Sequence, residues 1–164
     1  MGRESWQQVR LVVDHTVRGL CARPYEGHRR GCPNFGRCGR CPPQAPLVER
    51  VLDLTEPVWV AWSTFDLGSH VRRMKEKHPD WSDRQLACCL YWQPKARTVL
   101  RSVVGDFLES HPGLHVLWTP EACGVDVTAT MAQIGERLEW PPVNVTYQVV
   151  VAGTRYSNPY STLG

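Results

Sequence analysis

Four of the seven cysteines lie in one short stretch, and cysteine thiolates are the ligands that hold zinc and iron–sulfur clusters in proteins. Cys21, Cys32, Cys38 and Cys41 are spaced C-x10-C-x5-C-x2-C. The single C-x2-C pair can place two sulfurs on one metal through a tight turn, although a zinc ribbon would have two such pairs. The spacing predicts one metal centre, with an iron–sulfur cluster as the first expectation and zinc as the alternative.

These cysteines belong to a segment, residues 21–43, that we call the cysteine loop. It is rich in proline and glycine, which interrupt helices and strands, so we expect no regular structure there. Long irregular loops in compact domains are usually functional or held by something else. Four thiols around a metal would hold this loop, and free thiols in an irregular loop are the competing interpretation.

The remaining cysteines are alternate ligands. Cys88 and Cys89 are adjacent on a predicted helix, where neighbouring side chains point about 100° apart, so at most one of them faces a given site. Cys89 is expected on the inward face with Leu86 and Leu90. Cys123 precedes a predicted helix, and that position predicts a lowered thiol pKa.

Arginines give the cysteine loop a local positive charge. The six are Arg18, Arg23, Arg29, Arg30, Arg37 and Arg40, against Glu26 alone. They either offset the negative charge of a thiolate-ligated centre or bind an anion or nucleic acid. Arg29 and Arg30 are the candidates for anion binding.

Length and composition limit the number of domains and the kinds of function that the protein can have. The 164 residues fit a single domain, 1–164, and the net charge of +3 does not by itself indicate nucleic acid or membrane as a partner. No segment resembles a membrane span or a signal peptide, so we expect a cytoplasmic protein with reduced thiols. P-loop, G-x-G-x-x-G and G-x-S-x-G motifs are absent, and no enzymatic reaction is assigned.

The apolar pattern predicts alternating helices and strands. Strands are expected at 57–64, 114–118 and 143–152. The tail is expected to fray from residue 153. Helices are expected at 6–19, 46–54, 69–78, 96–111 and 126–134, with a further short one after a capping box at Ser82 and Gln85. Within the first of these, the apolar run at 11–13 leaves a strand as the alternative. This alternation predicts an α/β fold with a small, mainly parallel sheet flanked by helices.

In such a sheet, ligands gather beyond the carboxyl ends of the strands. Those positions are residues 66–70 and 119–126. If the two strands are parallel neighbours, both segments meet at one sheet edge. We then expect the cysteine loop to fold over that edge, with Cys123 on the order of 10 Å from the metal.

Two motifs resemble a known family. CPNFG at 32–36 with CPP at 41–43, and PEACGVDVTAT at 120–130, are similar to motifs in a cysteine-rich family of bacterial and archaeal predicted metal-binding proteins of unknown function. The resemblance implies a metal or iron–sulfur site that involves Cys32 and Cys41, and it supplies no reaction. Members carry a further cysteine cluster mid-chain, where this sequence has only Cys88 and Cys89, so one centre is expected.

Two functions follow as hypotheses. The first is a metalloprotein whose cluster serves electron transfer or Lewis-acid chemistry, with a redox partner. The second is a zinc-stabilised binding module whose arginine-rich loop contacts nucleic acid or a protein partner.

Overall fold

The computed structural model describes residues 5–24 and 29–157. Strands, α-helices and short 3-10 helices follow one another along the chain. The strands are β1 (Trp6–Val9), β2 (Val58–Asp66), β3 (His115–Leu117) and β4 (Val145–Gly153), and the α-helices are α1 (Leu67–Lys77), α2 (Asp83–Leu86), α3 (Gln93–Ser110) and α4 (Val127–Ala132). The 3-10 helices are His15–Ala22, Val48–Arg50, Cys89–Tyr91 and Glu121–Cys123.

The four described strands form one sheet in the order β1-β2-β4-β3, and every neighbouring pair is antiparallel. The mainly parallel sheet predicted above is therefore wrong. The two long central strands pair over their whole length, from Val58 opposite Gly153 to Asp66 opposite Val145.

The apolar runs that suggested parallel strands have another cause, which is burial on both faces of the sheet. Val60 and Val151 face a core that includes Val48, Val125 and Met131. Their neighbours along the strands, Ala61 and Val150, face the opposite way and pack on α3. A central antiparallel strand covered on both sides has the same continuous apolar pattern as a parallel one.

The strand ends do not meet as the parallel arrangement required. Leu117, at the end of β3, pairs with Val151, whereas Asp66, at the end of β2, pairs with Val145. Those two positions on β4 are six residues apart (151 − 145), or roughly 20 Å at ~3.4 Å per residue. Residues 66–70 and 119–126 therefore lie at separate places along the sheet.

The helix covering the second face agrees with its sequence pattern. α3 buries a stripe of four side chains: Ala96, Leu100, Val104 and Phe107. Phe107 is fully buried against Trp6 and Trp59, with ring centroids 6.0 Å away in each case. The capping box at Ser82 and the N-cap at Asp126 are also confirmed.

The predicted N-terminal helix, 6–19, is wrong. Trp6–Val9 is the edge strand β1, and Asp14 then caps the 3-10 helix His15–Ala22 by accepting a hydrogen bond from the Thr16 N–H. The apolar spacing that suggested one helix is shared between these two elements. The predicted helix at 46–54 shortens likewise to the 3-10 helix Val48–Arg50.

The segment after β4 is paired, so the tail does not fray from 153 as predicted. Arg155 forms a β-bridge with Leu52, and the Tyr156 N–H donates to the Val51 carbonyl. Residues 158–164 of the predicted tail lie outside the described residues. No helix in the described part combines the length and apolar character needed to cross a membrane.

Candidate metal centre

The cysteine loop is fastened to the segment that follows β3. The guanidinium of Arg18 donates to the carbonyls of Ala122 (2.9 Å), Pro43 (3.0 Å) and Ala45 (2.7 Å). Thr119 Oγ1 donates to the Arg40 carbonyl at 3.1 Å. The loop therefore packs against residues 119–123. The sheet edge over which it was expected to fold, shared with residues 66–70, does not exist, and the expected distance between Cys123 and a metal stays a prediction.

The C-x2-C pair forms a tight turn with its sulfurs in contact. The Cys41 N–H donates to the Cys38 carbonyl at 3.0 Å, and the two Sγ atoms lie 3.1 Å apart. Two thiolates bound to one tetrahedral metal by bonds of ~2.3 Å would be about 3.8 Å apart. The turn thus holds both sulfurs within reach of a single ion.

Cys21 and Cys32 form a second pair, joined through the backbone. The Cys32 N–H donates to the Cys21 carbonyl at 2.8 Å. Gly31, with a φ of 77°, makes this approach possible, because a Cβ at that position would lie 2.6 Å from the Cys21 carbonyl oxygen. Cys21 and Cys32 are half-buried.

The four thiols influence one another electrostatically. The hydrogen bond with Cys38 raises the pKa of Cys41 to about 11, together with burial and the negative charges of Cys38, Cys32 and Cys21. Burial and, to a smaller extent, the charge of Cys32 raise the pKa of Cys21. The pKa of Cys38 is lowered by hydrogen bonds from the Cys41 thiol and the Arg40 N–H. A cation bound by these thiols would compensate the mutual repulsion of their thiolates.

The two pairs do not yet form one coordination sphere. Across residues 5–24 and 29–157, no three His, Cys, Asp or Glu side chains are grouped closely enough to bind a single ion. A centre with four thiolates therefore requires the two pairs to approach each other. The donor set has the chemistry of a zinc or iron–sulfur site, and one of its two pairs has its sulfurs in contact.

Cys88 and Cys89 are not brought to the cysteine loop by any described contact. Cys88 is half-buried, and Cys89 is exposed, so the predicted inward position of Cys89 is wrong. Leu90 is 78% exposed as well. The helical phase is broken because α2 ends at Leu86 and Cys88 has a non-helical ψ of 123° before the next 3-10 turn.

Cys123 lies close to the anchoring contacts of the loop but belongs to the core. It ends the 3-10 helix Glu121–Cys123 and is 2% exposed, packed with Val125 and Met131. Burial raises the pKa of its thiol, partly opposed by the charge of Arg18. The predicted lowering is wrong, because the burial of Cys123 in the core has the larger effect on the pKa of its thiol.

The loop arginines differ in role. Arg18 donates hydrogen bonds to backbone carbonyls. From the sequence it was expected only to contribute to the positive charge of the loop, and no feature of the sequence indicates the carbonyl contacts. Arg29, Arg30, Arg37 and Arg40 are exposed, and none of them forms an ion pair within the described residues. Residues 29–48 contain no Asp or Glu. This part of the loop therefore carries an uncompensated positive charge.

A groove of about 430 Å³ lies elsewhere, beside β1 and the start of β2. It is lined by residues 8–11 and 54–58, and no cysteine lines it. The candidate metal centre is thus not part of this groove.

Comparison with protein families, with curated proteins and with solved structures finds no match to the chain. The family resemblance of the two cysteine-containing motifs stays a prediction.

Proposed function

We propose that Cys21, Cys32, Cys38 and Cys41 hold one metal centre, an iron–sulfur cluster that serves electron transfer. The contact between Cys38 and Cys41 is the observation that carries the proposal, because it puts two sulfurs in position for one ion. When bound, an iron–sulfur cluster supplies one-electron transfer, and zinc in the same ligands would be structural.

The arrangement of the thiols in pairs supports this choice. Cys38 with Cys41, and Cys21 with Cys32, provide two ligand pairs, as a two-iron cluster needs, and the same pairs suit one tetrahedral ion. Four cysteines complete either coordination sphere. Electron transfer is favoured over Lewis-acid chemistry, because a Lewis-acid centre keeps a position open for substrate.

The surroundings of the thiols support the same function. Cys38 is exposed, so electrons would have a short path to a partner at the surface. The exposed arginines offset the negative charge of a thiolate-ligated centre and would attract an acidic redox partner.

Anaerobic purification with measurement of iron, zinc and sulfide tests the proposal. We expect stoichiometric iron and sulfide with charge-transfer absorption in the visible range. The variants Cys41→Ser and Cys32→Ser should lose the metal, whereas Cys88→Ser and Cys89→Ser, matched controls outside the loop, should keep it. Full metal content in Cys41→Ser would refute the ligand assignment, and zinc without iron would identify the structural alternative.

The uncompensated arginines favour a second candidate function, a zinc-stabilised module that binds nucleic acid. Phosphate binding would make the affinity for single-stranded RNA or DNA fall steeply with salt. Replacing Arg29, Arg30 and Arg37 by alanine should reduce the slope of log K against log salt by about 0.7 for each phosphate that the protein no longer neutralises. The exposed helical arginines Arg97 and Arg101 provide the control, and an absence of binding at low salt would eliminate this candidate.

A further inference from the structure

We propose that Cys38 and Cys41 form a reversible disulfide by exchange with a small-molecule disulfide of the oxidised-glutathione class, and that this oxidation releases the metal. The disulfide itself follows from the geometry of the turn and holds with or without a metal. The release of metal rests on the proposed function, because it requires both cysteines to be ligands.

The distance between the two sulfurs is the first argument. The Sγ atoms lie 3.1 Å apart, so they must approach by only about 1 Å to reach the ~2.05 Å of a disulfide. The hydrogen bond that closes the turn, from the Cys41 N–H to the Cys38 carbonyl, brings the two Cα atoms within about 7 Å. Cysteines whose Cα atoms are more than ~7 Å apart cannot be bridged without backbone movement, and the turn keeps this pair inside that limit.

The second argument is that contacts other than those of sulfur hold the turn. The Gly36 N–H donates to the Pro42 carbonyl at 2.7 Å, and the Gln44 side chain donates to the Gly36 carbonyl at 3.0 Å. Thr119 holds the Arg40 carbonyl, and the Ala45 N–H donates to the Cys41 carbonyl at 2.9 Å. The dithiol therefore stays positioned when no metal is bound.

Access and charge complete the argument. Cys38 is exposed, whereas Cys123 is buried and out of reach of a soluble disulfide. Arg37 and Arg40 flank Cys38 in the chain and form no ion pair within the described residues. Oxidised glutathione carries several carboxylates, so this positive surface attracts it to the exposed sulfur.

The exchange proceeds in two steps. The Cys38 thiolate attacks one sulfur of oxidised glutathione, forms a mixed disulfide and expels one glutathione thiolate, which takes up a proton. Cys41 then releases its proton to water, and its sulfur attacks the Cys38 sulfur and expels the second glutathione. Two protein thiols lose two electrons, and one disulfide is reduced to two thiols. Reduced glutathione in excess reverses both steps.

The test begins with the metal-free, reduced full chain in buffers of defined ratios of reduced to oxidised glutathione. Acid quenching, alkylation and non-reducing peptide mapping identify the bonded cysteines. We expect a Cys38–Cys41 disulfide to form first and to disappear when reduced glutathione is restored. Cys41→Ser should accumulate a mixed disulfide at Cys38, and Cys89→Ser, which removes an exposed thiol outside the loop, should behave as wild type.

Two results would overturn the disulfide: alkylation of both Cys38 and Cys41 at every ratio, or an earlier disulfide between Cys21 and Cys32. A second arm uses the protein as purified with its metal, and a chromogenic chelator for iron or zinc reports release. The release of metal should rise in step with the fraction of protein that carries the Cys38–Cys41 disulfide. Formation of the disulfide with full retention of metal would overturn the proposal that oxidation releases the metal. Protein that never binds metal defeats the proposed function alone, because the first arm is measured without metal.

Discussion

Arg18 links two parts of the chain that are far apart in sequence. Its half-buried guanidinium spans from the Ala122 carbonyl to the Pro43 and Ala45 carbonyls, and the first of these partners is 104 residues away. A planar guanidinium can serve several acceptors at once, whereas a lysine ammonium is a compact point charge. Arg18 thereby holds the carboxyl end of the cysteine loop against the 3-10 helix Glu121–Cys123.

Replacing Arg18 by alanine should lower the free energy of unfolding by about 1.5–3 kcal/mol, the range for hydrogen bonds to a charged group. Arg18→Lys should recover only part of this loss. Denaturant unfolding monitored by tryptophan fluorescence provides the measurement, with Arg97→Ala on the exposed face of α3 as the control. An unfolding midpoint for Arg18→Ala equal to that of Arg97→Ala would show that these hydrogen bonds add no stability.

At the scale of single residues, the sequence identified candidate metal ligands but not their arrangement. The four loop cysteines could be selected from spacing alone. The roles of Arg18 and Thr119 could not, because a hydrogen bond to a backbone carbonyl leaves no mark on the identity of the residue that accepts it. Cys123 was misjudged for a related reason: burial in the core, which depends on tertiary packing, determines its thiol pKa.

Glycines shape the cysteine loop, and they do so in different ways. Gly31 has a positive φ and also lies against the backbone of Cys21 and Ala22. Gly36 has a positive φ of 72° with nothing near its absent Cβ, and Gly39 has neither constraint. Substitutions at these three positions can therefore distinguish the cost of backbone strain from the cost of steric contact within one loop.

Alanine at these three glycines should give a graded series. Gly39→Ala should be nearly neutral, and Gly36→Ala should cost about 1–2 kcal/mol from the left-handed backbone alone. Gly31→Ala should cost more, because a Cβ 2.6 Å from the Cys21 carbonyl oxygen forces Cys21 and Cys32 apart. The free energy of unfolding and the alkylation rate of Cys32 measure the two effects. Equal values for Gly31→Ala and Gly39→Ala would mean that the Cys21–Cys32 contact is not maintained.

Most strands and the longer helices were recognisable, but strand direction was not. β2, β4 and α3 arise from apolar patterns long enough to be distinctive, whereas α1 has only a weak amphipathic pattern. The pattern reports that a strand is buried on both faces and carries no information about the direction of its neighbour. The predicted helix at 6–19 is wrong because the apolar spacing of this segment suits a helix, whereas pairing with β2 makes Trp6–Val9 an edge strand.

In the described part of the molecule, packing encloses a histidine ring nitrogen that has no polar partner. His70 of α1 is buried at 8% exposure beside Phe65, and within the described residues its Nε2 atom has no hydrogen-bond partner. Burial, with a smaller effect of Arg73, lowers its pKa below the ordinary 6.5. The folded molecule therefore favours the neutral ring.

The stability of the protein should consequently fall in mild acid. Below pH 6.5 the unfolded chain binds a proton at His70 that the folded protein resists, so the free energy of unfolding decreases as the pH falls through this range. Well above pH 6.5, both states are neutral at this residue and the contribution is constant. Denaturant unfolding between pH 7.5 and 5 should show this slope.

The slope should be reduced in His70→Gln, whatever the absolute stability of that variant. His115→Gln leaves His70 in place and should keep the wild-type slope. If His70→Gln retains the full acid dependence, the buried ring is not its source.

The pairing of β2 with β4 also has a consequence for how the protein is made. Val58 pairs with Gly153, so the centre of the sheet joins the early and late parts of the described chain, and such long-range pairing makes folding slow. On the ribosome, the thiols of the cysteine loop emerge well before Thr119 and Ala122, whose contacts fasten the loop. Until Thr119 and Ala122 have been synthesised, the nascent chain exposes an unanchored set of cysteines, and in this interval mispaired disulfides would compete with correct assembly.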